Sequence, residues 1–122
     1  MAQYTVNVTA YENQPPSSVG DGSSTIDYGE TLVYTRAMLT SALSPAYSDP
    51  EGDPADKLKI ITLPGKGKLK LNGVDVIINQ IIDFTDIDNS LLTYVPDNST
   101  TTSYSPVFEF QIADTVSGIF VG

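Results

Sequence analysis

The sequence predicts an all-β fold, arranged as an antiparallel sandwich of about seven strands. Short runs of alternating apolar and polar residues recur along the chain, and clusters of Gly, Pro, Asn, Asp and Ser separate them. This pattern is typical of antiparallel sheets that bury one face. Two segments support the prediction best: the hairpin around Asn72-Gly73 and the alternating stretch from Val107 to Ala113. A chain of 122 residues suits one domain with its own core.

The clearest local element is the hairpin around Asn72-Gly73. This dipeptide is the strongest signal for a two-residue turn, because both central positions take a positive φ. Such a turn pairs Leu71 with Val74 and Lys70 with Asp75, so apolar side chains meet on one face and opposite charges on the other. We expect the four apolar residues of the hairpin to face the core: Leu69, Leu71, Val74 and Val76.

The remaining strands are predicted from alternation and from the turn residues that bound it. Residues 4–9 alternate cleanly and predict a first strand, which Pro15-Pro16 ends because proline has no amide donor. Residues 37–43 fit either a strand or a helical turn. Further strands are expected over residues 31–35, 58–62, 91–95 and 107–113, with a short last one over 119–121.

Two expectations about packing follow from these elements. Residues 58–62 should lie beside the hairpin, because only Leu63-Pro64-Gly65 and a few more residues connect them. In the stretch 107–113, Phe108 and Phe110 should point into the core, since they alternate with more polar neighbours.

The composition argues against several classes of function. There is no Cys and no His, which removes disulfides, thiolate metal sites and the usual catalytic acid–base and nucleophile arrangements. We therefore expect no enzyme. A net charge of −9 argues against a nucleic-acid partner. No run of eighteen apolar residues is present, so no membrane span is predicted.

The basic residues are concentrated in one part of the chain. Five of the six fall within fourteen residues that contain no acid: Lys57, Lys59, Lys66, Lys68 and Lys70. One interpretation is a solvated pair of strands that resists aggregation. The alternative is a basic face that docks on an acidic protein neighbour, with Lys66, Lys68 and Lys70 as the partner-binding residues.

Clustered acids make a calcium site possible. Asp49, Glu51 and Asp53 share one loop, and Asp114 follows a predicted core strand. Hard cations prefer several oxygen ligands, and these carboxylates supply them. The alternative is that the acids form Asx-turns and are otherwise solvated. The full candidate set is Asp49, Glu51, Asp53, Asp86, Asp88 and Asp114. No other cofactor is expected.

Five spaced segments resemble a cadherin-like repeat of the type found in chondroitin-sulfate-proteoglycan repeats and in long bacterial adhesins. They are Asn13-Gln-Pro-Pro, Asp49-Pro-Glu-Gly-Asp, Leu63-Pro-Gly-Lys-Gly-Lys-Leu, Phe84-Thr-Asp-Ile-Asp with Leu92-Thr-Tyr, and Phe108-Glu-Phe-Gln-Ile-Ala-Asp. The resemblance implies an immunoglobulin-like or cadherin-like sandwich over residues 13–122, with calcium held by acids in its loops and near the linker residues Glu12 and Asn13.

In this comparison the chain resembles a repeat that is cut out of phase. Residues 4–9 resemble the last strand of a preceding repeat, and the matching strand after Asp114 is short. Residues 1–12 are therefore interpreted as a strand and linker that fill either the chain's own sheet edge or a neighbour's. The partner-binding residues of this segment are Tyr4, Val6 and Val8. The alternative is an ordinary first strand.

The resemblance implies a scaffold and binding module. Because the chain begins with Met and shows no export signal, we expect a bacteriophage virion protein that decorates a capsid or tail, located on the virion surface. Its partner would be another copy of the chain or a larger shell or fibre. One alternative is an excised repeat of a bacterial surface adhesin. A second is a carbohydrate-binding β-domain, which an exposed aromatic platform would mark.

Overall fold

Seven strands form two antiparallel sheets in the part of the chain that the computed structural model describes, residues 1–8, 13–17, 19–99 and 102–122. The strands are β1 (Leu32–Val33), β2 (Ala55–Thr62), β3 (Lys68–Leu71), β4 (Val74–Asp75), β5 (Ile81–Asp83), β6 (Leu92–Val95) and β7 (Glu109–Asp114). One sheet has the order β1-β6-β3-β4 and the other β5-β2-β7. The predicted all-β sandwich is confirmed at this level.

Two short helices lie between the strands. A 3₁₀ helix spans Ala37–Leu39, which decides between the strand and the helical turn in favour of the turn. The α-helix α1 spans Phe84–Asp88 directly after β5. Its Phe84 and Ile87 are buried, so this turn of helix closes one end of the core.

The core lies between the apolar faces of the two sheets. Leu58 and Ile60 of β2 are fully buried, as is Ile112 of β7. They belong to one buried cluster with Leu69 of β3 and Leu92 of β6 from the other sheet. Burial of an aliphatic side chain stabilises a fold by about 1.5–3 kcal/mol, so these residues account for the pairing of the sheets.

The hairpin forms with the predicted register. Asn72 and Gly73 have φ values of 50° and 79°, and Leu71 pairs with Val74. Lys70 pairs with Asp75, and their Nζ and Oδ1 atoms lie 3.1 Å apart.

The core-facing expectation for the hairpin holds only in part. Leu69 and Val76 are buried and Leu71 is half-buried, but Val74 is 69% exposed. The expectation that Val74 faces the core is therefore wrong. Val74 is exposed because it directly follows the turn and belongs to β4, an edge strand of its sheet.

Residues 58–62 do not lie beside the hairpin, so that expectation is wrong. They belong to β2, which is the central strand of the other sheet, between β5 and β7. Residues 63–67 thus cross from one sheet to the other. The physical reason is that β7 offers β2 a long ladder, from the pair Ala55–Asp114 to the pair Thr62–Glu109, while the apolar face of β2 packs across the core.

Both ends of the chain differ from the sequence prediction. Residues 4–8 form no strand and are exposed, so the strand predicted over 4–9 is wrong for this part, and Thr9 lies outside the described residues. At the other end, the short last strand reduces to one bridge between Val121 and Ile112. Phe108 and Phe110 pack against the core as expected, although each is only half-buried.

Candidate cation site

Three carboxylates meet at the end of the sandwich where β2 begins and β7 ends. Ala55 pairs with Asp114, which places the loop before β2 against the last residue of β7. Oxygens of Asp49, Asp53 and Asp114 all lie within 4.8 Å of one another. Pairing of two strands that are distant in sequence therefore builds this cluster, which we call the acid cluster.

The loop holds its two acids through a local turn. Asp49 Oδ1 accepts hydrogen bonds from the backbone amides of Glu51 and Asp53, at 3.0 and 3.1 Å. Gly52 lies at φ 77°, a conformation that glycine adopts without a Cβ clash. This is the Asx-turn that the sequence offered as an alternative to calcium. It uses only one oxygen of Asp49, so the two interpretations are compatible.

Asp114 is the buried member of the acid cluster. Its side chain is 1% exposed, and the turn that follows wraps around its Oδ1. That oxygen accepts hydrogen bonds from the amides of Val116, Ser117 and Gly118 and from the Ser117 hydroxyl, at 2.6–3.3 Å. The carboxylate is thereby fixed in one orientation.

The second oxygen of each carboxylate has no partner. The Oδ2 atoms of Asp49, Asp53 and Asp114 are all buried and accept no hydrogen bond from any described residue. A buried, unpaired carboxylate oxygen is costly, because it has lost its water and gained no donor. Three such atoms at one point in the fold form a group of acceptors that a cation could balance.

The electrostatics of the acid cluster agree with this geometry. Burial, followed by the charges of Asp49, Asp114 and Glu51, raises the pKa of Asp53 above its ordinary value. Burial also pushes the pKa of Asp114 upward, but hydrogen bonding with Ser117, Asp49 and Gly118 outweighs it and holds that pKa below the ordinary value. The charge of Asp114 in turn contributes to the raised pKa of Asp53, and this negative field favours a cation.

The other predicted calcium residues lie outside this cluster of three. Glu51 is in the same loop, and its carboxylate accepts a hydrogen bond from the Gln14 amide. Asp86 is in the first turn of α1. Asp88 forms an ion pair with Arg36, whose Nη2 lies 2.9 Å from Asp88 Oδ2. The structure therefore brings together three of the six candidates.

Arg36 makes contacts that could not be predicted from the sequence. Its Nη1 donates to the carbonyl oxygen of Ala55 at 2.7 Å, and its guanidinium lies 4.9 Å from the centre of the Phe84 ring. With Asp88 it joins the 3₁₀ region, α1 and the start of β2. Since Ala55 pairs with Asp114, Arg36 supports the strand end that carries the acid cluster.

The predicted basic face is divided between the two sheets. Lys57 and Lys59 belong to β2, and Lys57 forms ion pairs with Asp83 and Asp56. Lys68 and Lys70 belong to β3 in the other sheet.

The three lysines assigned to a partner differ in their contacts. Lys66 lies over the Tyr104 ring at 5.2 Å, and Lys70 is paired with Asp75. Lys68 is exposed. The binding of a protein partner by Lys66, Lys68 and Lys70 stays a prediction.

A second feature was missed at the sequence level, an open groove of about 700 Å³ beside the core. Its walls are half-buried aromatic side chains of both sheets, among them Tyr34, Phe108 and Phe110. Alternation predicted the two phenylalanines to be core residues, but it could not show that no strand within the described residues covers them.

Comparisons with protein-family models, with curated proteins and with solved structures give no match. In the described part of the chain, no helix has the length and apolar character needed to cross a membrane.

Proposed function

We propose that the protein is a structural and binding module, not an enzyme, and that it holds a calcium ion at the acid cluster. The observation that carries this proposal is the set of three buried, unpartnered Oδ2 atoms of Asp49, Asp53 and Asp114. The immunoglobulin-like or cadherin-like character of the sandwich belongs to the same proposal and rests on the sequence resemblance.

Calcium suits the donor set better than zinc does. All donors are carboxylate oxygens, and the chain has no His or Cys to offer the nitrogen or sulfur that structural zinc prefers. Calcium bonds to oxygen at about 2.3–2.6 Å, so ligands on opposite sides of the ion lie about 4.6–5.2 Å apart. The oxygens of the acid cluster lie within 4.8 Å of one another, which fits that range.

We expect this calcium to bind weakly and not to be required for folding. Three carboxylates are fewer than the six to eight oxygens that calcium takes, so water or backbone oxygens must complete the shell. The two sheets already share a core that includes Leu58, Leu69 and Ile112. Calcium would then fix the loop end of a domain that is folded without it.

Thermal unfolding in chelator and in millimolar calcium tests the site, with magnesium as the control ion. At a calcium concentration of 100 times Kd, the folded state should gain about 2.7 kcal/mol. The variant Asp53→Asn should lose this gain. In chelator it should be more stable than the natural chain, because a neutral amide avoids the burial of a charge and the repulsion that together raise the pKa of Asp53.

Asp86→Asn is the matched control, since it removes an acid of the original candidate set that lies outside the acid cluster. It should keep the full calcium response. Equal calcium responses in Asp53→Asn and the natural chain would contradict the assignment, as would the absence of any response.

A virion surface is the proposed setting, with a bacterial cell surface as the alternative. Support comes from the resemblance to adhesive repeats and from the lack of His and Cys for catalysis. Gold-labelled antibodies against the chain, applied to released particles and to intact cells of the source, separate the two. Labelling confined to the cell interior would contradict both settings.

A further inference from the structure

We propose that the N-terminal segment, residues 2–8, is donated as a strand to the aromatic groove of a second copy of this chain. The inference is independent of calcium. It joins two features of the described structure: a groove between the edges of the two sheets, and an exposed segment with apolar side chains that pairs with no described strand.

The groove lies where a further strand of the sandwich would be. The strand orders make β1 and β7 edges of the two different sheets. Residues of both edges line the groove, with Leu32 from β1 and Phe110 from β7. Tyr28 and Val107 are 66% and 72% exposed at its rim. The groove therefore runs between one edge of each sheet, with exposed apolar side chains at its rim.

The outer edge of β7 is bridged by the C-terminal segment at Ile112. Ile112 exchanges two backbone hydrogen bonds with Val121, at 2.8 and 2.9 Å, on the side away from β2. Outward-facing groups alternate along a strand, so those of Phe110 also point outward. No strand of the described residues pairs with β7 beside Phe110, where the C-terminal Gly122 lies against the Phe110 carbonyl oxygen. An added strand would therefore continue the line of Val121 and Gly122 along this edge.

The segment has the pattern that such a groove accepts. Tyr4, Val6 and Val8 alternate with Gln3, Thr5 and Asn7, so one face is apolar and the other polar. Residues 2–8 carry no charged side chain, which suits contact with the aromatic side chains of the groove. The three apolar side chains are 93%, 73% and 89% exposed, so in the folded chain the segment does not enter its own groove.

A second copy is the occupant that these observations favour. Each copy of the chain has a segment with apolar side chains, residues 2–8, and a groove between the edges of its two sheets. Within one molecule these two features are not in contact. Inserted antiparallel to β7, the direction in which Val121 already pairs, the segment would place Tyr4, Val6 and Val8 against Tyr34, Phe108 and Phe110. The polar face would stay in solvent.

The test measures association of the full chain in chelator by analytical ultracentrifugation. The natural chain should form dimers or larger species as its concentration rises. Val6→Lys should weaken association by roughly tenfold or more, because the ammonium would have to be desolvated in the groove. Thr5→Lys is the matched control on the opposite face and should associate like the natural chain. Both positions are exposed, so neither change should alter the melting temperature of the monomer, measured at a concentration below that of association.

A complementation experiment tests the groove itself. Val107→Asp at the groove rim should block acceptance while leaving the segment free to be donated. Val6→Lys and Val107→Asp should each fail to self-associate but form a heterodimer when mixed. A synthetic peptide of residues 2–8 should compete with association of the natural chain.

Three results would overturn the proposal. The first is a natural chain that stays monomeric at every concentration. The second is equal loss of association in Val6→Lys and Thr5→Lys. The third is a monomer whose residues 4–8 are protected from amide hydrogen exchange, since the segment would then fill its own groove.

Discussion

Three glycines around the hairpin offer a graded test of what the backbone requires. Gly73 lies at φ 79° in the turn, and a Cβ built there would meet nothing within 4 Å. Gly65 also has open space around it, and its φ is not in the positive range. Gly67 lies at φ 76°, and its Cβ would lie 2.4 Å from the Tyr94 hydroxyl. Alanine substitution therefore separates strain from steric overlap.

The magnitudes follow from these differences. Gly73→Ala should cost about 1–2 kcal/mol for the left-handed conformation, offset by about 0.4–1 kcal/mol from a less flexible unfolded chain. Gly65→Ala should be neutral or slightly stabilising. Gly67→Ala carries the same strain and must also displace Tyr94, which is 7% exposed and donates to the Lys66 carbonyl at 2.8 Å. Losing that hydrogen bond adds about 1–3 kcal/mol.

Thermal unfolding in chelator measures this series without interference from calcium. For a chain of this size, 1 kcal/mol corresponds to a shift in Tm of about 3–6 °C. The expected order of Tm is Gly65→Ala highest, then Gly73→Ala, then Gly67→Ala. Equal values for the variants at 65 and 73 would refute the assigned turn, and a Gly67→Ala no worse than Gly73→Ala would refute the close approach of Tyr94.

Two further predictions concern the packing of the hairpin and the loss of folding stability at low pH. Leu69→Ala should cost about 2–5 kcal/mol, because Leu69 is 2% exposed. Val74→Ala should change stability by less than about 0.5 kcal/mol in the same urea titration, and comparable losses would contradict their different burial. The hydrogen bond from Arg36 lowers the pKa of Asp88, so its contribution is present above the ordinary carboxyl pKa and is lost as pH falls through the lowered value. Asp88→Asn should therefore be less stable than the natural chain at neutral pH, and the difference should shrink as the pH falls below the ordinary carboxyl pKa. A difference that does not shrink on acidification would exclude this pair as the cause.

Local turn chemistry explains why the hairpin was predictable from sequence. Asn72-Gly73 sets both the turn and the register, and the pair Lys70–Asp75 follows from it. The sheet that β2 joins could not be predicted in this way. Its partners β5 and β7 are distant in sequence, so their pairing depends on the whole fold. The pattern of alternation also does not show that residues 63–67 cross from one sheet to the other.

The three acids of the candidate site were among the six predicted from the sequence, but the sequence could not show which of the six come together. Carboxylates close in sequence marked Asp49 and Asp53 as possible ligands, and Asp114 was marked because it follows a core strand. Two facts were hidden: the pair Ala55–Asp114 that joins the loops, and the turn after β7 that buries Asp114. Both depend on the folded backbone. Alternation predicts that only one of the neighbours Ala113 and Asp114 is buried, whereas both are buried in the structure.

The acid cluster and the aromatic groove lie at opposite ends of β7, and this arrangement separates the two proposals. Asp114 and Phe110 are four residues apart, about 13 Å along an extended strand. That distance exceeds the Debye length of about 8–10 Å at moderate ionic strength, so the charge of a bound ion reaches the groove only weakly.

Calcium should accordingly leave association unchanged, and Val6→Lys should leave the calcium response unchanged. Coupling between calcium binding and association would show that β7 or its neighbouring loops shift as a unit when either site is filled. In that case the acid cluster would regulate assembly, and the independence argued from distance would be wrong.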